Sequence, residues 1–470
     1  MLFNSYEFIF LFLPITLVVY YLLNNYNKYE FAKGWLVLAS LYFYSYNLPK
    51  NLMLILLSVI VNYRVGLKLM DEKPERKYKK IYLYLGILFN IGILSTFKIY
   101  DFITAEIFYK SKIPIGISFF TLQEIAFLAD VYRGTMKKCS FLEYILYVSF
   151  FPQLIAGPIV LTNEMFPQFR AMGNKRINWD NMCRGLYMFA IGLAKKTAIA
   201  DVISIYPFIG FEMIRDYTFA DAWFTAIVYS LQLYFDFSGY CDMAIGIALM
   251  FNIELPVNFD SPYKSTNVAE FWKRWNITLG RFMKNYLYVW LGGNRCGAMA
   301  TYINIFYVFI ISALWHGFWL NMVLWGAVHG VAVIVYKMWK RAGKSCNRFV
   351  AWAITTFFIV QSMALFKIKD MRILRAFFKG LYNVRTIPDG FSNVFIEKFH
   401  TFADLATGII TIEGIETIIV ALIIVFFIKN SNEKLRSFNF RKINKVEIVC
   451  CLLIGILYLS GYNRFLYFNF

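Results

Sequence analysis

Residues 302–318 read YINIFYVFIISALWHGF, and residues 319–338 follow at once as WLNMVLWGAVHGVAVIVYKM. The first block contains a fourteen-residue apolar run, Tyr302–Trp315, ended by His316 and Gly317. Each block approaches the ~20 residues needed to cross a ~30 Å hydrocarbon core. Two such blocks in succession read as consecutive transmembrane segments.

The same pattern recurs outward in both directions. Apolar segments occur near residues 6–24, 35–48, 51–69, 81–99, 113–131, 183–205, 222–251, 349–366, 408–428 and 446–463. Across the 470 residues, 59% are apolar, 20% are aromatic and only 16% are charged, against roughly a quarter charged in an average soluble domain. A soluble globule of this composition lacks the polar surface to cover itself, and a disordered chain needs the opposite balance. The formal charge of +19 would suit a nucleic-acid binder, but the apolar runs exclude that class. The predicted fold is an all-α polytopic integral membrane protein with about 11–12 transmembrane helices. No Ser/Gly/Pro-rich linker divides the chain, so residues 1–470 read as one integral-membrane domain. The seven cysteines show no CxxC pair and read as reduced packing residues. The first apolar run, Phe8–Leu23, has no basic flank before it and reads as a span, not a removable signal.

Basic residues set the orientation. They crowd the loops Lys73–Lys80, Lys337–Arg348 and Lys429–Lys445, whereas the connections 101–112, 212–221 and 389–404 are balanced or acidic. The positive-inside rule puts the crowded loops in the cytoplasm and the N-terminus outside. One stretch, Lys367, Lys369, Arg372, Arg375 and Lys379, falls on the outer side by parity. It implies either an interfacial helix or a miscounted span. The segment 141–159 has basic flanks on both sides and breaks at Pro152 and Gly157–Pro158. It reads as a re-entrant turn, tolerated where protein or water covers the freed backbone.

Polar residues inside apolar segments cost a few kcal/mol unless they are paired or line a cavity. Asp236 and Ser238 lie in LYFDFSGY, residues 233–240. Asp236 either bridges a broken helix or lines a reaction chamber. Asp130 and Arg133, three apart, can pair on one helix face. Of the three histidines, His400 lies in an outer loop as an ordinary surface residue. His316 would sit about 20 Å along its helix at ~1.5 Å per residue, deep in the bilayer. A neutral imidazole there can accept a proton as a general base, and the alternative is a hydrogen-bonded core histidine. His329, in WGAVHG, offers the same chemistry.

Between these features lies PYKSTNVAEFWKRWNITLGRFMK, residues 262–284. Asn267 or Thr266 can cap a helix whose Phe271, Trp272 and Trp275 share one side. Arg274 and Arg281, seven apart, share another face, with Lys284 beside Arg281. Such a cationic amphipathic helix suits anionic membrane lipids or a phosphorylated cytosolic ligand such as the diphosphate of coenzyme A. No metal-ligand spacing, glycine-rich phosphate loop or GxSxG is present.

Taken in order, these motifs resemble the membrane-bound O-acyltransferase family, in its bacterial alginate O-acetyltransferase branch. The resemblance covers nearly the whole chain: LFNS (2–5), IPIGISFFT (113–121), DVYRG (130–134), FFPQLIAGPI (150–159), YFDFSGY (234–240), FWKRW (271–275), LGGNR (291–295) and LWHG (314–317). It implies re-entrant and interfacial helices around a central tunnel that meets a buried histidine, here His316. It also implies a second active-site position after the Phe-Trp-x-x-Trp element, here Asn276. The alginate-type branch usually has histidine there, and the wider family's sterol and diacylglycerol enzymes have asparagine. An asparagine does not exchange protons near neutrality, so His316 would be the base of this pair. Trp275, Arg274, Arg281, Lys284, Asp236, Ser238, Trp315 and His329 are the expected substrate- or donor-binding residues.

The resemblance implies an O-acyltransferase of the bacterial cytoplasmic membrane. No tightly bound cofactor is expected. The acyl donor would be acetyl-CoA or a carrier-protein thioester. The acceptor would be an extracytoplasmic polysaccharide, reached directly or through an esterase-like partner outside the membrane. D-alanyl transfer to teichoic acid would use the same fold, and a transporter of lipid-linked sugars is the rival from another class. A transporter usually shows repeat symmetry, and none is visible here.

Overall fold

The computed structural model describes the chain except residues 47–48, 72–74, 109–112, 137, 205, 207–210, 212–216, 387–409, 440–441 and 460–470. His400 and the acidic connection 389–404 therefore lie outside the described residues. Among the described residues the elements are helical, and strand pairing is confined to one bridge between Phe259 and Trp275.

The N-terminal half consists of α1 (Leu13–Asn25, entered through a wide π turn at Phe8–Phe12), α2 (Tyr29–Ser45), α3 (Lys50–Met70), α4 (Arg76–Phe108) and α5 (Ile117–Tyr132). Then follow α6 (Phe141–Ser149), α7 (Thr162–Arg170), α8 (Trp179–Ala194), α9 (Phe219–Met250), α10 (Val268–Arg274) and α11 (Ile277–Phe282). The C-terminal part has α12 (Gly297–His316), α13 (Leu320–Arg341), α14 (Arg348–Ser362), α15 (Met371–Leu381), α16 (Ile410–Phe427) and α17 (Lys442–Leu457). Each of the apolar segments in the sequence holds one of these helices. Six stretches are long and apolar enough to cross a membrane unaided: Phe8–Asn25, Lys50–Met70, Arg76–Thr104, Gly297–His316, Leu320–Arg341 and Arg348–Lys367. Of the remainder, α2, α5, α8 and α17 are shorter, and α9 is enclosed by protein along most of its 32 residues.

Helices α8 and α9 cross in close backbone contact. A Cβ added to Gly185 would come within 2.5 Å of the Gly246 carbonyl oxygen, and one on Gly192 within 2.6 Å of that of Gly239. Glycines seven apart on both helices thus let the backbones touch, as small residues do at membrane helix interfaces. Beyond α8 the chain continues as a π turn, Lys195–Asp201. Lys195 Nζ lies 2.7 Å from Asp242 Oδ2, and Lys196 Nζ lies 2.6 Å from both Asp236 Oδ1 and Asp201 Oδ1. All of these groups are inside the protein. Neither sequence reading describes Asp236: its helix α9 is unbroken from Phe219 to Met250, and the carboxylate pairs with Lys196 across the crossing.

The segment 141–159 behaves as a re-entrant turn. Helix α6 has nine residues, about 13 Å at ~1.5 Å each, too short to cross. Ser140 and Glu143 form its capping box. Its breaks are covered by protein partners: Gln153 Nε2 donates to the Tyr147 carbonyl at 2.7 Å, and the Ile159 N–H donates to Thr278 Oγ1 at 2.9 Å.

Two expectations change. Asp130 and Arg133 do not pair: Asp130 accepts from Thr162 Oγ1 and the Tyr286 hydroxyl, both at 2.7 Å. Arg133 instead donates to the Asn285 carbonyl and lies over the Tyr286 ring. Of the basic stretch that parity assigns outside, Arg372, Arg375 and Lys379 fall in α15, an eleven-residue helix too short to span. It buries Leu374, Phe377 and Leu381 while Arg372, Arg375 and Lys379 stay exposed, the pattern of an interfacial helix.

Candidate active site

Residues 258–284 build one wall of a cavity of about 640 Å³. Asn267 caps α10 by accepting from the Glu270 N–H at 2.8 Å, as the sequence reading expects. The helix does not run on to Lys284, however. Trp275 is extended, Asn276 adopts the left-handed conformation (φ 46°, ψ 54°), and α11 begins at Ile277. The segment 258–260 pins this corner. The Asp260 N–H donates to the Arg274 carbonyl at 2.9 Å, and the Ile277 N–H donates to the Asn258 carbonyl at 3.0 Å. Asn258 Oδ1 also accepts from Thr278 Oγ1 at 2.6 Å. Asparagine tolerates the left-handed region better than most residues, so the corner falls where the chain can turn without glycine.

The break redistributes the cations. Arg274 and Arg281 do not form one exposed face. Arg274 bonds Glu270 Oε1 (Nε, 3.1 Å) and the Asp260 carbonyl (3.0 Å). Arg281 makes a two-pronged pair with Glu164 and donates to the Ile159 carbonyl at 3.0 Å, tying α11 to the re-entrant segment. Burial pushes the Glu270 carboxyl up, but the Thr266 amide and hydroxyl with Arg274 outweigh it and hold its pKa below the usual value. Arg281 still lines the cavity and Arg274 does not. Lys284, and Lys273 which sequence reasoning passed over, line it as exposed ammonium groups with no carboxylate partner among the described residues.

His316 lines the same cavity as Asn276, forty residues away in the chain. Helix α12 begins at Gly297, earlier than the apolar run suggests, so His316 is its last residue, about 28 Å along the axis at ~1.5 Å per residue. His316 thus lies farther along its helix than the ~20 Å that the apolar run suggests, and it is buried at the helix end, beside the turn to α13. Its carbonyl accepts from Lys98 Nζ at 2.6 Å, a cation at the negative end of a helix. Aromatic rings frame the imidazole, with centroids of Trp315, Phe366 and Trp325 at 4.6, 4.9 and 5.8 Å. The Trp315 Nε1–H is anchored on the Ser118 carbonyl at 3.0 Å.

Of the other expected residues, Trp275 lines the cavity. His329 stands behind its wall: Trp272 Nε1–H donates to His329 Nδ1 at 3.3 Å, and the rings of Trp325 and His329 lie 5.0 Å apart. Trp315 also backs the wall. Asp236 and Ser238 are not brought to the cavity, Asp236 being engaged by Lys196. Lys98 was legible only as a charge at the end of the 81–99 run.

This geometry places a histidine, a carboxamide and two open cations around one chamber. The family model of MBOAT, membrane-bound O-acyltransferase family, matches residues 48–368. The chain is 38% identical to a peptidoglycan O-acetyltransferase of Helicobacter pylori, over 100% of this chain and 98% of that protein. It is 33% identical to the probable alginate O-acetylase AlgI of Pseudomonas aeruginosa, over 82% of this chain and 76% of that protein. It is 26% identical to a teichoic acid D-alanyltransferase of Bacillus subtilis, over 49% of this chain and 60% of that protein. A helical multi-pass membrane protein with these matches is an O-acyltransferase, and the chain belongs to the membrane-bound O-acyltransferase family.

Proposed function

We propose that this enzyme, acting as one unit over residues 1–470, transfers an acetyl group from a cytosolic thioester to a hydroxyl of an extracytoplasmic polysaccharide in the bacterial cell envelope. The carrying observation is that His316 and Asn276 line one cavity whose wall also bears Lys273 and Lys284. The ammonium groups suit the phosphates of acetyl-CoA. His316 takes the proton of the attacking hydroxyl as its oxygen bonds to the acyl carbon. The C–S bond then breaks, and the proton passes to the leaving thiolate. Asn276 donates to the acyl oxygen as negative charge gathers there.

Full-length likeness to a peptidoglycan enzyme supports peptidoglycan as the acceptor, whereas the D-alanyl-transferring relatives align over half the chain. The basic loops support a cytoplasmic-membrane protein with its N-terminus outside. An esterase-like partner outside the membrane would complete delivery if the acyl group is relayed. The decisive experiment measures base-labile acetate on purified cell walls from cells carrying His316→Ala. At normal expression, loss of the acetate is expected, and full retention refutes the mechanism. Capture of radiolabel from acetyl-CoA, but not from an aminoacyl carrier protein, is the matching result for the donor.

A further inference from the structure

A second cavity, of about 410 Å³, lies between the π continuation of α8, α16 and α17. It shares no lining residue with the first, and nothing in acyl transfer requires it. Its size falls within the ~300–1,000 Å³ of small-molecule sites. We propose that it binds an anionic phospholipid of the cytoplasmic leaflet.

The cavity is amphiphilic along its length. Its body is mostly apolar, lined by Ile191, Ala198, Ile199, Val420, Ile424 and Ile454, with the exposed Glu416 at the end of the α16 lining farthest from the basic loop. Thr417 and Val425, both lining it, are eight residues apart on α16, about 12 Å at ~1.5 Å per residue. That is close to one leaflet's share of a ~30 Å core. Val420, Ile428 and Ile454 are exposed on its lip, so a chain can enter sideways from the bilayer.

Its other end is polar and lies at the basic loop 429–445, which the positive-inside rule places in the cytoplasm. The charges there are unequal. Lys195 is matched by Asp242, and Lys434 by Glu447, which the Tyr187 hydroxyl also holds at 2.7 Å. Glu433 is turned to the Asn430 N–H as a helix cap. Lys429 has no carboxylate partner among the described residues, and Lys264 beside it spends one proton on the Ile428 carbonyl at 2.9 Å. Lys429 and Lys264 are thus ammonium groups at the mouth without an ion-pair partner among the described residues, beside Glu433 and Asp260, whose carboxylate accepts from Asn430 Nδ2 at 2.8 Å and lies 3.8 Å from Arg274. Basic pockets between transmembrane helices on the cytoplasmic side suit anionic headgroups. A free phosphate would satisfy the cations and leave the apolar body without a partner.

Native mass spectrometry of the full chain in detergent, offered phosphatidylglycerol or phosphatidylethanolamine, tests this. Retention of one phosphatidylglycerol, at least tenfold over phosphatidylethanolamine, is expected. Lys429→Ala should lower retention through the headgroup and Ala198→Trp through the tail space. Lys344→Ala, on a different basic loop, should leave it unchanged. Both test variants are scored only as monodisperse protein with wild-type melting, and Lys429→Gln substitutes if Lys429→Ala fails that criterion. Equal retention of the two lipids, indifference to both substitutions, or displacement by inorganic phosphate alone would overturn the proposal.

Discussion

Asn276 offers the cleanest separation between holding the chain and doing chemistry. Its left-handed backbone (φ 46°) would cost an ordinary residue ~1–2 kcal/mol, while glycine adopts it freely. Asn276→Gly therefore keeps the corner between α10 and α11 and removes only the carboxamide. The larger conformational freedom of glycine in the unfolded chain costs about 1 kcal/mol at most, a shift of a few degrees in melting temperature. Losing a single donor to a developing oxyanion costs about 100- to 1,000-fold in rate, ~3–4 kcal/mol. The catalytic effect should thus exceed the structural one about threefold in free energy. Asn276→Asp is the companion variant, since aspartate also tolerates this backbone but offers no amide hydrogens. Transfer of labelled acetyl groups by membrane fractions, read beside thermal unfolding in detergent, measures both quantities. A folded Asn276→Gly enzyme working within about threefold of the parent would refute the reasoning, leaving Asn276 as a turn residue only.

Lys196→Met strands Asp236 and Asp201 without their cation, and breaking a buried pair costs ~3–5 kcal/mol. Melting of the purified protein should drop accordingly, and adding Asp236→Asn should recover part of the loss. Gly192→Val drives a side chain into the Gly239 carbonyl and should abolish monodisperse expression, whereas Gly173→Val, in open space, should be tolerated. Lys98→Met uncaps the His316 carbonyl and should reduce the turnover number about tenfold with little change in KM for the donor, since Lys98 acts on the helix end and not on the ligand. Glu270 has a lowered folded-state pKa, so its contribution is complete above the ordinary carboxylate value of ~4.3 and is lost as pH falls through the depressed one. Melting measured from pH 6 down to pH 3 should show a shallower acid decline in Glu270→Gln than in the parent protein.

What the sequence revealed follows from the range of the forces involved. Apolar segments announce themselves locally, so hydropathy located the helices from α1 to α17 that hold them. The Asn267 cap is equally local and was readable. The corner at Asn276 was not, because no glycine or proline marks it. It is imposed by Asn258 and Asp260, which lie well upstream and show no pattern linking them to it. Reading one helix onward from the Thr266 or Asn267 cap to Lys284 therefore put Arg274 and Arg281 on a common face that does not exist. The partners of Asp236 and Asp242 were hidden for the same reason: Lys196 and Lys195 sit forty and more residues away in a segment whose average hydropathy masks them. Two adjacent lysines inside an apolar run were nonetheless a signal, since such charges demand partners. The family resemblance implied a buried chamber at His316; its place at the end of α12 required the fold.

Those lysines also constrain how the chain can be made. A helix bearing Lys195 and Lys196 carries about 5–7 kcal/mol of insertion cost if it enters the bilayer alone, at ~2.5–3.5 kcal/mol per central charge. Asp201 in the same segment offsets part of it, helix α9 brings Asp236 and Asp242 for the rest, and the glycine crossing lets the two backbones meet without side chains between them. The stretch from Trp179 to Met250 is thus expected to insert together. It should leave the translocon as a neutralised hairpin, and a ribosome stalled before Asp236 should hold α8 outside the lipid phase.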